Sequence, residues 1–86
     1  MRAPTPLSIL LLEDSDLDAE LVQEYLRRGG LDATVDRVWT RAEFTRLLEE
    51  RDYDLILADY VLPAFDGLSA LDMAHAIAPN VPFIFV

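Results

Sequence analysis

The sequence predicts an α/β fold in which a parallel sheet carries helices on both of its faces. Runs of nearly continuous apolar residues indicate strands that are buried on both sides, and segments with helix-capping signals lie between them. The connections are short, and strand–helix alternation of this kind requires parallel strands with right-handed crossovers. With 86 residues, 52% of them apolar, the chain is long enough for one core but leaves a thin margin of stability.

The first half of the chain predicts two strands that flank one helix. Residues 1–6 contain two prolines and are expected to form a flexible lead-in. The apolar run Leu7–Leu12 predicts the first strand, β1. Helix α1 should begin at the capping residue Ser15 and end at Gly29, and the more polar residues 32–39 suit an edge strand, β2. The apolar stripe predicted for α1 consists of Leu17, Leu21, Val22, Tyr25 and Leu26.

The second half predicts two more helices and two more strands. A capping box that begins at Thr40 predicts helix α2. Its buried face should include Phe44, Leu47 and Leu48. Residues 53–58 predict a third strand, β3, which is buried on both sides and ends at Asp59. Helix α3 is predicted at about 68–77 and strand β4 at 81–86, so that the order is β1-α1-β2-α2-β3-α3-β4.

Charge and composition exclude several classes of partner and chemistry. Sixteen acidic residues against seven arginines and no lysine give a net charge of −9, which argues against nucleic acid and anionic membranes as partners. The absence of cysteine excludes disulfides, thiolate zinc sites and cysteine nucleophiles. The apolar start is too short to span a membrane and no signal-peptide pattern precedes it, so we expect a soluble cytoplasmic protein. The arginines are dispersed and predict no binding patch.

Acidic residues follow two of the predicted strands. Glu13 and Asp14 come directly after β1, and Asp59 comes at the end of β3. If β1 and β3 are neighbours where the strand order reverses, these side chains converge at the edge of the sheet where open α/β folds bind ligands. Their mutual repulsion calls for a cation, and Mg²⁺ prefers such hard oxygen ligands. The sequence therefore predicts a Mg²⁺ site that meets a phosphoryl group.

Asp59 is the best candidate for a nucleophile toward phosphorus, which would form an aspartyl phosphate. Its place at a strand end would hold it rigidly, and the backbone carbonyl of Val61 could add a metal ligand.

Three motifs together resemble the receiver domain of two-component response regulators. They are the acidic pair Glu13-Asp14 after β1, the segment 53–60 around Asp59, and the turn 62–68. The resemblance extends over 7–86, which we take as the receiver domain. It implies a flavodoxin-like, three-layer, doubly wound sheet with strand order 2-1-3-4, and it leads us to expect a bacterial signalling protein.

The resemblance also implies a function. Asp59 would accept a phosphoryl group from a sensor histidine kinase or a histidine phosphotransfer protein, with Mg²⁺ held by Glu13, Asp14 and Asp59. Pro63 and Gly67 would shape the loop that follows the phosphorylation site. Such a chain assists its own phosphorylation and is not a turnover enzyme.

The sequence departs from the family pattern at its end. A full receiver has five strand–helix units, of which this chain supplies three and a half. The Ser or Thr after the fourth strand and the Lys and aromatic residue of the fifth are missing. We therefore expect a C-terminally truncated receiver with impaired phosphorylation, because lost preorganised charge weakens transition-state stabilisation.

The exposed edge of β4 predicts self-association. Both faces of residues 81–86 are apolar, and such a strand expects a neighbour at its edge and cover on both sides. We expect a homodimer through this edge.

Two other functions compete with the phosphoacceptor. One is an interaction or dimerisation module that keeps the receiver fold without phosphorylation. The other is a Mg²⁺-dependent phosphohydrolase with Asp59 as nucleophile, which ranks last because Val61 stands where a second Asp would serve as general acid. An acidic run over 14–20 also resembles the start of a calcium loop, but Ala19 and Tyr25 stand where that loop needs Gly and a bidentate Glu.

Overall fold

The computed structural model describes residues 6–60, 62 and 65–86. Of the predicted flexible lead-in, only Pro6 falls within these residues, and it is exposed. The elements are β1 Leu7–Leu12, α1 Asp16–Arg28, β2 Ala33–Val38, α2 Arg41–Glu50, β3 Leu55–Ala58, α3 Gly67–Ile77 and β4 Phe83–Phe85. The predicted element order is confirmed.

The four strands form one parallel sheet in the order β2-β1-β3-β4. This is the strand order that the resemblance implied. Leu12 lies beside Val38 of β2 on one side and beside Ala58 of β3 on the other. The chain runs from β1 outward to β2 and then crosses back over β1 to β3, so the reversal of strand order falls between β1 and β3.

The three helices begin where a polar side chain caps the first turn. Ser15 Oγ accepts a hydrogen bond from the backbone N–H of Asp18 at 3.2 Å, and Thr40 Oγ1 accepts one from Glu43 at 3.2 Å. Helix α1 ends at Gly29, and Gly30 has a φ of +79°, which glycine adopts without strain. Local sequence signals therefore place these helices correctly.

Three strands are shorter than predicted. Strand β4 contains three residues because it pairs only with Ile56, Leu57 and Ala58 of the four-residue β3. Strand β3 starts at Leu55, and the side chain of Asp54 directly before it accepts the N–H of Ser8 at 2.8 Å.

The sheet separates two unequal halves of the core. We call the face covered by α2 and α3 the closed side. Its buried residues are Leu10, Leu12, Val38, Phe44, Leu47, Leu48, Tyr53, Ile56, Ala58, Leu62, Phe65, Ala70 and Ala74. We call the face covered by α1 the open side, where the buried residues are Ile9, Leu11, Ala19 and Leu57. Helices therefore lie on both faces, as predicted.

The apolar stripe predicted for α1 is only partly covered. Val22 and Leu26 pack against the sheet, whereas Leu17, Leu21 and Tyr25 are exposed. Residues 17, 21 and 25 are four apart and so share a line along the helix. That line lies toward β4, because Leu21 and Tyr25 share a cleft with Val86, and no helix of the described chain covers that part of the sheet.

Among the described residues, no helix combines the length and the apolar character needed to cross a membrane.

Candidate metal and phosphoacceptor site

Three carboxylates meet at the carboxyl ends of the two central strands. Oxygen atoms of Glu13, Asp14 and Asp59 lie within 4.8 Å of one another. The backbone explains this convergence, since the N–H of Asp59 donates to the carbonyl of Leu12 at 2.9 Å and extends the β1–β3 ladder by one residue. The structure thus brings together the three side chains that the sequence singled out.

The three carboxylates differ in their exposure to solvent. Glu13 is 3% exposed, Asp59 is half-buried and Asp14 is exposed. Glu13 therefore lies at the base of the cluster and Asp14 at its rim. A cleft of about 240 Å³ leads to the cluster, and its wall includes Leu21, Tyr25, Asp59 and Val86. Asp59 is thus within reach of a molecule that enters from the open side.

Burial and charge repulsion within the cluster both act on the pKa of Glu13. Burial raises the pKa of its carboxyl above the usual value, and the charge of Asp59 and the side chain of Asp14 raise it further. The backbone N–H of Ser15, which donates to Glu13 Oε1 at 3.0 Å, acts on the pKa in the opposite direction. A bound cation would relieve this repulsion, because opposite charge favours the ionised form.

The donor set fits a hard divalent cation. All three side chains offer carboxylate oxygens, which are the ligands that Mg²⁺ prefers, and the exposed rim leaves room for the waters that it retains. The predicted ligand Val61 and the predicted loop residue Pro63 lie outside the described residues.

Gly67 is required by a close approach of three chain segments. A Cβ at this first residue of α3 would lie 2.7 Å from Cε1 of Phe85 and 3.1 Å from the carbonyl oxygen of Tyr60. Tyr60 directly follows Asp59. Because Gly67 has no side chain, the chain at Tyr60 can pass close to α3. This contact gives a physical reason for the predicted role of Gly67, which stays a prediction.

Arg37 contacts the acidic loop and was missed at the sequence level. Its Nε donates to the carbonyl of Glu13 at 2.9 Å and its Nη2 to the carbonyl of Asp14 at 3.0 Å. Alternation along β2 places Arg37 on the same face as Val35, and Val35 packs on the open side, where α1 begins. Strand alternation in the sequence therefore indicates the face on which Arg37 lies. Its contact with the acidic loop follows only from the register of β2 against β1.

The aromatic residues near the site pack against neighbours. The ring of Tyr60 makes an edge contact with Phe85, with centroids 5.2 Å apart. The guanidinium of Arg37 lies 4.8 Å from the ring centroid of Trp39.

A parallel sheet of order 2-1-3-4 with acidic residues converging beyond β1 and β3 defines a class of doubly wound α/β protein with an acidic site at the reversal of its strand order. The profile of the response regulator receiver domain matches residues 9–86, so the chain belongs to that family. The family resemblance of the sequence motifs and the flavodoxin-like receiver fold are therefore confirmed.

Known proteins of the family come from fungi as well as bacteria. The transcription factor SKN7 of Saccharomyces cerevisiae is 33% identical over 76 residues, which cover 88% of this chain and 12% of that protein. The predicted bacterial source therefore stays a prediction.

Two solved receivers show the likeness in three dimensions. The receiver domain of sensor histidine kinase PA1611 from Pseudomonas aeruginosa, with magnesium in its active site cleft, is 32% identical with a TM-score of 0.80. The MaeR response regulator bound to beryllium trifluoride is 26% identical with a TM-score of 0.82. The matches cover 94% and 93% of this chain and 66% of each solved chain, which is just under two thirds of their length.

Proposed function

We propose that the chain is a phosphoacceptor module of a two-component system, in which Asp59 receives a phosphoryl group. The observation that carries the proposal is the convergence of the Glu13, Asp14 and Asp59 carboxylates within 4.8 Å. A solved relative that binds magnesium in its active site cleft supports the choice of cation. The donor would be a sensor histidine kinase or a histidine phosphotransfer protein, and the transfer would take place in the cytoplasm.

The transfer needs one bond to form and one to break. An oxygen of Asp59 attacks phosphorus, the P–N bond of the phosphohistidine breaks, and the histidine nitrogen keeps the electron pair. Glu13, Asp14 and Asp59 would hold Mg²⁺, which neutralises charge on the phosphoryl oxygens when it is bound. Glu13 supplies its carboxylate from a buried position and Asp14 from the exposed rim.

The chain uses Asp59 as a single-turnover acceptor in this proposal and is not a turnover enzyme. Because the sequence contains no lysine to pair with the phosphoryl oxygens, we expect the transfer to be slow.

Intact mass after incubation with a small acyl phosphate and Mg²⁺ tests the proposal. The wild-type chain should gain one phosphoryl group, and Asp59→Asn should gain none. Asp54→Asn is the matched control. Asp54 lies directly before β3, whereas Asp59 follows it, and an asparagine at position 54 keeps an acceptor for the N–H of Ser8. Chelation of Mg²⁺ should abolish the gain. An unchanged mass of the wild type, or equal gain in Asp59→Asn, contradicts the proposal.

The proposal includes a homodimer through the edge of β4. Ile84 and Val86 are exposed apolar residues at this edge, and no strand of the described chain pairs with the outer side of β4. Exposed edges of this kind promote pairing between chains.

Sedimentation over a range of protein concentrations tests the homodimer. The wild type should shift from monomer to dimer, and Ile84→Lys should remain monomeric. Leu68→Lys is the matched control, because Leu68 is also exposed but lies on α3. A wild type that stays monomeric at high concentration overturns this part of the proposal.

A further inference from the structure

Arg37 connects the edge strand β2 to the loop between β1 and α1. Beyond its hydrogen bonds to the carbonyls of Glu13 and Asp14, its Nη1 donates to Oδ1 of Asp16 at 2.6 Å. The arginine side chain is 22% exposed, and its guanidinium rests against the ring of Trp39. All three nitrogens of the guanidinium are therefore engaged, and the group is held from one face.

The two backbone contacts matter more than the ion pair. Asp16 is 90% exposed, and ion pairs with such exposed partners contribute little free energy because solvent screens them. The carbonyls belong instead to the two residues whose carboxylates converge on Asp59. A charged donor on a carbonyl fixes the peptide plane, and hence the direction in which the adjacent side chain leaves the backbone.

Glu13 is anchored to β2 at both of its backbone groups. Its N–H donates to the carbonyl of Val38 at 3.0 Å, and its carbonyl accepts from Arg37. The loop therefore has a fixed position relative to β2, while the ladder between Leu12 and Asp59 fixes β3. Together these contacts set the separation between the carboxylates of β1 and the carboxylate of β3.

We propose that Arg37 is a positioning residue of the acidic site. Its guanidinium fork holds the carbonyls of Glu13 and Asp14 so that their carboxylates point toward Asp59, and Trp39 holds the fork in place. This inference rests on the proposed Mg²⁺ site. It adds that the affinity of the site depends on a residue of β2 that touches none of the reacting atoms.

Lysine cannot replace arginine in this role. The guanidinium presents its donors in a rigid plane that reaches two adjacent carbonyls at once, whereas an ammonium is a point charge on a flexible stem. Arg37→Lys therefore keeps the charge and loses the fork. This substitution separates positioning from a purely electrostatic effect of Arg37.

Calorimetric titration with Mg²⁺ tests the inference. Arg37→Met and Arg37→Lys should each raise the dissociation constant about tenfold, as expected when a residue that orients a metal ligand is lost. Arg41→Met is the matched control, because Arg41 also lies over an aromatic ring, that of Phe65, and its loss changes the net charge equally. Arg41→Met and Asp16→Asn should both bind Mg²⁺ like the wild type.

The outcomes separate this inference from the proposed function. If the wild type binds no Mg²⁺, the proposed function fails and the inference fails with it. If the wild type binds Mg²⁺ and Arg37→Lys binds it equally well, Arg37 acts only through its charge and the positioning role is overturned. Circular dichroism establishes whether each variant is folded. Should Arg37→Met fail to fold, the Arg37→Lys result decides alone.

Discussion

The closed side and the open side of the sheet differ in how fully their apolar residues are covered. Two helices and a large buried cluster cover the closed side, whereas one helix and a small cluster cover the open side. Exposed apolar residues on or beside the open side include Leu17, Leu21, Tyr25, Ile84 and Val86. The cleft that reaches Asp59 lies among them.

This difference indicates that the two sides of the sheet have different roles. Packing on the closed side fixes the strands, and with them the carboxylates at their carboxyl ends. The sparse cover on the open side leaves Asp59 accessible to the proposed phosphoryl donor. The comparison therefore predicts that matched substitutions on the two sides have different effects on stability.

Truncation of a leucine should give the largest difference. Leu48→Ala on α2 removes a buried side chain of the closed side and should lower the free energy of unfolding by about 2–5 kcal/mol. Leu17→Ala on α1 removes a side chain that is 65% exposed and should change it by less than about 0.5 kcal/mol. Urea unfolding followed by circular dichroism measures both. Equal losses in the two variants contradict the comparison.

Local signals in the sequence predict much of the fold and the centre of the site. Caps at Ser15 and Thr40 act within one turn of helix, and continuous apolar runs identify the buried strands. The carboxyl-end rule for parallel sheets then brings Glu13 and Asp14 to Asp59. These predictions need only chain neighbours or a general rule of topology.

Features that depend on particular neighbours in space could not be predicted. The α1 stripe has the right spacing, but exposure of Tyr25 depends on which element covers that part of the sheet. The contact of Arg37 with the acidic loop depends on the register of two strands from different parts of the chain. The requirement for Gly67 depends on the place of Phe85, which is 18 positions later in the sequence.

A second pair of substitutions compares two glycines. Gly67→Ala would force Phe85 of the closed side to move, and overpacking of this kind should cost about 1–3 kcal/mol. Gly29→Ala, at the end of α1, meets only ordinary contacts at 3.4 Å and has a helical φ of −74°. It should be neutral or stabilise by up to about 1 kcal/mol, since alanine restricts the unfolded chain. Thermal unfolding should show a loss of stability in Gly67→Ala and none in Gly29→Ala, and a loss at Gly29 as large as that at Gly67 would contradict the comparison.

The smallest expected difference concerns two tyrosine hydroxyls. Tyr53 is buried on the closed side, and its hydroxyl donates to Oδ2 of Asp36 at 2.7 Å. Tyr53→Phe should lower the free energy of unfolding by about 1 kcal/mol, because it removes a hydrogen bond at a buried position where water cannot take the place of the hydroxyl. The side chain of Tyr25 on α1 is 68% exposed, and Tyr25→Phe should change the free energy of unfolding by less than about 0.5 kcal/mol.

Alkaline pH should reduce the difference in the free energy of unfolding between the wild type and Tyr53→Phe. Burial, together with the hydrogen bond and charge of Asp36, raises the pKa of Tyr53 well above its usual value of 10.0. The stability that depends on the neutral phenol is complete below pH 10.0, where Tyr53 stays protonated in both states, and it declines as pH rises through the higher folded pKa. Above pH 10.0 the unfolded chain ionises first, so the wild type loses stability that Tyr53→Phe cannot lose. Urea unfolding at about pH 8 and about pH 11 measures the gap. A gap that stays constant or widens would mean that Asp36 does not hold the proton on Tyr53 in the folded protein.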